Sequence, residues 1–192
     1  VPRLVLGSSS PYRAELLARL GLPFDRTAPD IDETPAPGEP VPDYVERLAR
    51  EKARAAAPGT PDTLTIGSDQ AAALDGRWLR KPGTLEAASD QLAACSGRCV
   101  TFHTGVAVHD GTTGTVRSTV VPFRVHFRSL SREAIRRYVS AERPLDSAGA
   151  FRVEGLGITL FSRLEGDDPN ALVGLPLIAL VDLLADAGLA LP

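Results

Sequence analysis

Two carboxylates and a few cations stand where a chain of this kind could meet a phosphate. Asp69 follows the apolar stretch Ile66-Gly67, and Glu33 lies in a polar loop. A carboxylate at the end of a strand, where α/β sheets place site residues, can hold a hard cation or take a proton from water. Glu33 can supply a second oxygen. Of 21 basic residues only Lys52 and Lys81 are lysine. Lysine is a compact point charge that reaches phosphate oxygens where a planar guanidinium does not fit. Arg13 adds a third cation beside Gly7-Ser8-Ser9-Ser10-Pro11, a strand-to-helix junction with small hydroxylated residues and backbone N–H groups suited to an anion. Together these residues point to metal-assisted attack on a phosphate ester or anhydride. The residues alone leave a second reading open, a set of dispersed surface charges.

Other chemistries fail on the residues they need. A P-loop requires Gly-Lys before Ser or Thr, but Glu51 precedes Lys52 and Arg80 precedes Lys81. Gly155-x-Gly157 lacks the third glycine and the helix of a dinucleotide fingerprint, and no serine-hydrolase elbow occurs. His103, His109 and His126 all fall in one expected hairpin, where packed or solvated strand histidines outnumber catalytic ones, so no role is assigned to them. Cys95 and Cys99 give neither a disulfide framework nor a four-ligand zinc pattern.

The elements that must position these residues alternate between strand and helix. Leu4 to Leu6 reads as a strand, followed by a helix from Pro11 to Leu20 with Ser10 as N-cap and Gly21 as its stop. Residues 29–42, with Pro35, Pro37, Pro40 and Pro42 following the acidic Asp30, Asp32 and Glu33, read as a long loop. Helices are expected over 43–57, 84–95 (capped by Thr84), 131–141 (capped by Ser131) and from Pro176 through Leu184. Strands are expected over 63–67 and 158–161, with a hairpin of 100–108 and 115–127 around Asp110-Gly111. The expected fold is α/β with a mixed central sheet and helices packed on both faces.

The 192 residues suit one domain spanning 1–192, and 43% hydrophobic content suffices for a core. A net charge of −3 gives no broad positive field for nucleic acid. The longest apolar run, Ala171 to Val181, is short for a bilayer and carries Pro176. The N-terminus reaches polar residues too early for a secretory segment, so a cytoplasmic location is the expectation.

The segments Ser8-Ser9-Ser10-Pro11-Tyr12-Arg13, Asp32-Glu33-Thr34, Arg50-Glu51-Lys52-Ala53, Gly67-Ser68-Asp69-Gln70, Lys81-Pro82, Asp146-Ser147-Ala148-Gly149 and Val173-Gly174-Leu175-Pro176 resemble, in order and over nearly the whole chain, the Maf family of nucleoside triphosphate pyrophosphatases. Two positions depart from that pattern: Ala14, where members often carry a second arginine, and Gly7, where alanine is common.

The resemblance implies an inosine-triphosphatase-like fold and hydrolysis of a nucleoside triphosphate to its monophosphate and pyrophosphate, with a divalent cation (Mg, Mn or Co). By the same resemblance Asp69 accepts the proton of the attacking water and neighbours the metal, Glu33 is a metal-side carboxylate, and Lys52 and Lys81 join Ser8, Ser10 and Arg13 on the phosphates. Tyr12, Gln70 and Glu154 match the branch acting on 7-methylguanosine triphosphate, whereas the dTTP/UTP branch carries arginine, threonine and glutamine there. Base chemistry agrees: guanine offers two adjacent N–H donors to one carboxylate, and its 7-methylated, positively charged form suits a tyrosine face. The alternatives are a dTTP/UTP pyrophosphatase, a nucleotide-binding regulator of septum formation without turnover, and a phosphatase releasing orthophosphate. By resemblance alone a homodimer is expected; the net charge and the lack of a long apolar run give the expectation of no nucleic-acid or membrane partner.

Overall fold

The computed structural model describes residues 2–192. The described residues divide into two compact units, one of residues 2–70, 104–121 and 168–192, the other of 71–103 and 122–167.

The first unit opens with β1 (Arg3–Gly7), α1 (Pro11–Ala18) and β2 (Phe24–Arg26), then α2 (Val41–Ala55). Three long strands, β3 (Thr63–Leu74), β5 (Cys99–Asp110) and β6 (Val116–Phe127), contribute residues to both units. Here the strand order is β2-β1-β3-β5-β6, with β1 parallel to both β2 and β3. Two helices close the chain, α5 (Pro169–Val173) and α6 (Leu177–Asp186).

Strand alternation sends Leu4, Leu6, Leu64, Ile66, Val106 and Val108 to one face, where they pack with leucines of α1 and α6. On the other face Ala107 meets Ala49 and Ala53 of α2. Helices thus cover both faces of this unit, and the sheet is mixed, as expected. The approach of α2 is very close because three strand positions lack a side chain. A Cβ on Gly67 would run into the backbone of Ala49 and Ala53, one on Gly105 into that of Val45, and one on Gly7 would lie 2.8 Å from Ala56 Cβ.

The second unit adds β4 (Arg77–Leu79) on β3, α3 (Leu85–Cys95), α4 (Arg132–Glu142) and β7 (Phe161–Glu165) on β6, both added strands antiparallel. Phe102, Phe127, Phe151 and Phe161 meet edge-to-face at its centre, with ring centroids 4.8–5.5 Å apart. Thr84 and Ser131 cap α3 and α4, accepting from Ala87 N and Ala134 N.

Two expectations are corrected. The strand expected over 158–161 is a 3₁₀ helix, Leu156–Leu160, and the strand follows it. Gly157 N bonds Arg152 O at 3.0 Å and Thr159 Oγ1 bonds Leu156 O at 2.7 Å, which winds this short apolar run instead of extending it. Asp69 does not follow a strand end. Strand β3 continues to Leu74, where Ala72, Ala73 and Leu74 pair with Leu79, Trp78 and Arg77, so Asp69 lies within a strand buried on both faces.

Candidate active site

Helix α2 and strand β3 set the centre of the site. Asp69 and Lys52 are each only 8% exposed, and Lys52 Nζ lies 2.6 Å from Asp69 Oδ1 and 2.7 Å from Glu33 Oε1. Two carboxylates therefore converge on one ammonium. An ammonium has three donors, so two contacts leave one for a phosphate oxygen. Each carboxylate likewise spends one oxygen on Lys52 and has a second.

Burial dominates the acidity of Asp69. Loss of water raises its pKa, Lys52 and Arg13 pull it back, and Glu33 adds to the rise. The result is a carboxylate more basic than an ordinary aspartate and better suited to take a proton from water.

Glu33 is held through its backbone while its side chain stays 56% exposed. The Tyr44 hydroxyl of α2 donates to Glu33 O at 2.9 Å, and Arg47 Nη2 to Thr34 O at 3.3 Å. Arg47 also grips Glu39 through Nε and Nη2 at 2.7 and 2.8 Å, which holds the Glu39 carboxyl down at about 2. The proline-rich loop is thereby tied to the helix that carries Lys52.

Arg13 approaches from the junction between β1 and α1. Ser8 Oγ accepts from Ser10 N at 3.1 Å, and Ser10 Oγ caps α1 by accepting from Arg13 N at 3.3 Å. Two amides of the expected anion cradle are thus committed to side chains, which leaves the cations as its main charge. Arg26 Nη2, from the unforeseen strand β2, steadies Ser9 O at 2.9 Å. Arg13 Nε donates to Gly174 O at 2.8 Å, and its Nη1 stands 3.5 Å from Ser8 Oγ. Burial lowers the Arg13 pKa while Asp69 and Glu33 favour its charge. Tyr12 is 45% exposed at the start of α1.

Gln70 has both amide hydrogens engaged within the protein: Nε2 faces Thr104 Oγ1 at 3.1 Å, Ala171 O at 2.8 Å and Leu172 O at 3.0 Å. Toward a ligand it can only accept, through Oε1.

The first unit therefore brings Ser8, Ser10, Arg13, Glu33, Lys52 and Asp69 into one linked set, with Gln70 beside Asp69 in sequence. Lys81 and Glu154 belong to the second unit. Lys81 is exposed before Pro82, and its charge helps hold the Asp146 carboxyl low, after Arg152. Glu154 is exposed in a turn; burial raises the pKa of Tyr138, and the charges of Glu142 and Glu154 add to that rise.

The donor set of Asp69 and Glu33 suits a hard divalent cation. Magnesium-like ions take one or two carboxylates and complete their shell with water and substrate phosphate. Among the described residues no cluster of three His, Cys, Asp or Glu could enclose a metal, so these two oxygens would be the protein's share.

Sequence reasoning missed the residues that hold this set in place: Tyr44, Arg47, Ser68 and Gly174. The glycine at 67 and the alanines at 49 and 53, four apart on the facing helix, were the legible signal of close approach.

Comparison with known proteins adds three relatives and a family. The family described as Maf-like protein matches residues 3–187. A 7-methyl-GTP pyrophosphatase of Alkalilimnicola ehrlichii is 56% identical over 187 residues, covering 97% of this chain and 94% of the relative. That of Pseudomonas aeruginosa is 53% identical over the full length of both chains. That of Aromatoleum aromaticum is 57% identical over 190 residues, 99% of this chain and 98% of the relative.

Proposed function

The chain belongs to the Maf family, and from that premise we propose that it is a nucleoside triphosphate pyrophosphatase acting on 7-methyl-GTP. The observation that carries the reading is the convergence of Asp69 and Glu33 on Lys52 Nζ, at 2.6 and 2.7 Å, in the same unit as Arg13.

Asp69 holds the attacking water through its second oxygen and accepts the proton as that water adds to the α-phosphorus. Its burial, which raises its basicity, supports this role. Lys52 and Arg13 carry the charge that grows on the bridging oxygen as pyrophosphate departs. Ser8 and Ser10 line the turn that presents Arg13. A divalent cation held by Asp69 and Glu33 supplies Lewis-acid neutralisation of the phosphate oxygens when bound.

The exposed face of Tyr12 suits a positively charged base, an attraction of roughly 0.5–2 kcal/mol. Glu154 is assigned as acceptor for the two adjacent N–H donors of guanine, with Gln70 Oε1 as a further acceptor. Lys81 is assigned to the phosphates.

The test mixes the protein with magnesium and 7-methyl-GTP, GTP, dTTP or UTP and analyses the products. Pyrophosphate and monophosphate are expected, fastest from 7-methyl-GTP, with Asp69→Asn inactive. Joint replacement Tyr12→Arg and Glu154→Gln is expected to lower the preference for the methylated nucleotide, and Lys81→Ala to raise KM. Preference for UTP or dTTP, release of orthophosphate, or binding without turnover would overturn the assignment.

A further inference from the structure

The segment of residues 168–174 is not used by the chemistry above, yet it makes the closest contact with one of the site's cations. The carbonyl of Gly174 accepts from Arg13 Nε at 2.8 Å and lies 2.9 Å from Ser68 Oγ. Ser68 is fully buried and its single hydroxyl proton is shared between that carbonyl and Gly105 O at 2.8 Å. Gly174 has φ of 125°, which L side chains rarely adopt, and a Cβ there would stand 3.4 Å from Arg13 Nε. The backbone conformation therefore calls for glycine, while a Cβ would only just touch the guanidinium.

The carbonyl is itself fixed from two sides. Asp168, only 2% exposed, caps α5 by accepting from Asn170 N at 2.9 Å and reaches α6 by accepting from Ile178 N at 2.9 Å. One buried carboxylate thus ties the helix before Gly174 to the helix after it. Gln70 and Thr104 hold the α5 carbonyls of Ala171 and Leu172. Asn170 O accepts from Gly174 N at 3.1 Å.

We propose that Gly174, backed by Ser68 and Asp168, is the positioning residue that holds the Arg13 guanidinium in its phosphate-binding orientation. Nε is spent on the carbonyl, which leaves the Nη groups, one of them 3.5 Å from Ser8 Oγ, as the donors for an anion. A guanidinium fixed before substrate arrives loses little freedom on binding. The inference rests on the assignment of Arg13 to the phosphates.

Two measurements test it. The first needs no turnover: the rate at which phenylglyoxal modifies Arg13, followed by peptide mass spectrometry, is expected to rise several-fold in Gly174→Ala and in Ser68→Ala. An unchanged rate in a folded variant would overturn the positioning role. The second is a cycle of Gly174→Ala with Arg13→Lys on kcat/KM for 7-methyl-GTP. Gly174→Ala is expected to lose about 10- to 100-fold when Arg13 is present and less than about 3-fold when lysine stands there, since residues acting through one another are non-additive. Equal losses in both backgrounds would show a merely structural glycine. If Gly174→Ala does not fold, the same cycle with Ser68→Ala applies, with coupling of about 3- to 10-fold expected and additivity refuting it. Wild-type-like activity of Arg13→Lys with accelerated labelling in the other variants would reject Arg13's phosphate role and keep the anchor.

Discussion

Replacing Lys52 with methionine removes the ammonium that meets Asp69 at 2.6 Å and Glu33 at 2.7 Å, while keeping most of the stem volume. With an effective dielectric of about 20, each contact represents a gross attraction of about 6 kcal/mol. Glu33 is mostly exposed, so solvent screens its share to no more than about 1 kcal/mol. Asp69 is buried, and stripping a buried charge of its partner costs about 3–5 kcal/mol. That cost falls on the ionised form only. Burial already raises the Asp69 pKa above its unfolded value, and loss of Lys52 raises it further. Stability is then retained at low pH, where Asp69 is protonated, and is lost as pH climbs toward the folded pKa, by at most about 1.4 kcal/mol per unit. Urea unfolding of wild type and Lys52→Met should show a gap that widens by about 2 kcal/mol or more between pH 5 and pH 8. Adding Asp69→Asn should close most of it. A gap of constant size across that range would refute the claim that the pair is a desolvated carboxylate held charged by one lysine.

The raised Asp69 pKa also sets the pH dependence of turnover: as a base it must be ionised, so kcat/KM should fall as pH drops through a value above the ordinary aspartate pKa of about 3.9. A limb at the ordinary value would remove burial from the mechanism. Gly67→Ala should destabilise by about 1–3 kcal/mol and lower activity beyond that, because its Cβ displaces the backbone of Ala49 and Ala53 beside Lys52; calorimetry and initial rates check both. Of the two thiols, Cys95 is buried and pushed up to about 11, whereas Cys99 is half-buried, so a disulfide reagent at pH 8 should label Cys99 first.

Much of this arrangement was legible in the sequence. Ser10, Thr84 and Ser131 cap helices where their neighbours said they would, because a cap is a local interaction of three or four residues. Asp69, Lys52, Glu33 and Arg13 were readable as a chemical set. Strand β2 and helix α5 were not: three and five residues carry no periodicity, so β2 rests on its pairing with β1 and the local cap of α5 by Asp168 stands without a following apolar pattern. The reach of β3 to Leu74 was hidden too, since a run of alanines reads as helix or strand alike until something is packed against it. The holders of the site were least legible, because Tyr44, Arg47 and Gly174 act through backbone groups whose positions only the fold supplies.

The stretch Gly67-Ser68-Asp69-Gln70 shows why a strand, rather than a loop, had to carry the chemistry. Successive residues of a strand face opposite sides. Gly67 and Asp69 face α2, the first giving the helix room and the second using the nearness to reach Lys52. Ser68 and Gln70 face the other way, toward Gly174 and the carbonyls of α5. One side sets a carboxylate against its lysine, and the other steadies the carbonyl that grips Arg13. Inserting a single residue before Asp69 would exchange the two sides. It would turn the carboxylate toward α5 and the amide toward Lys52, so pyrophosphatase activity should vanish even where the leucine packing of the first unit survives.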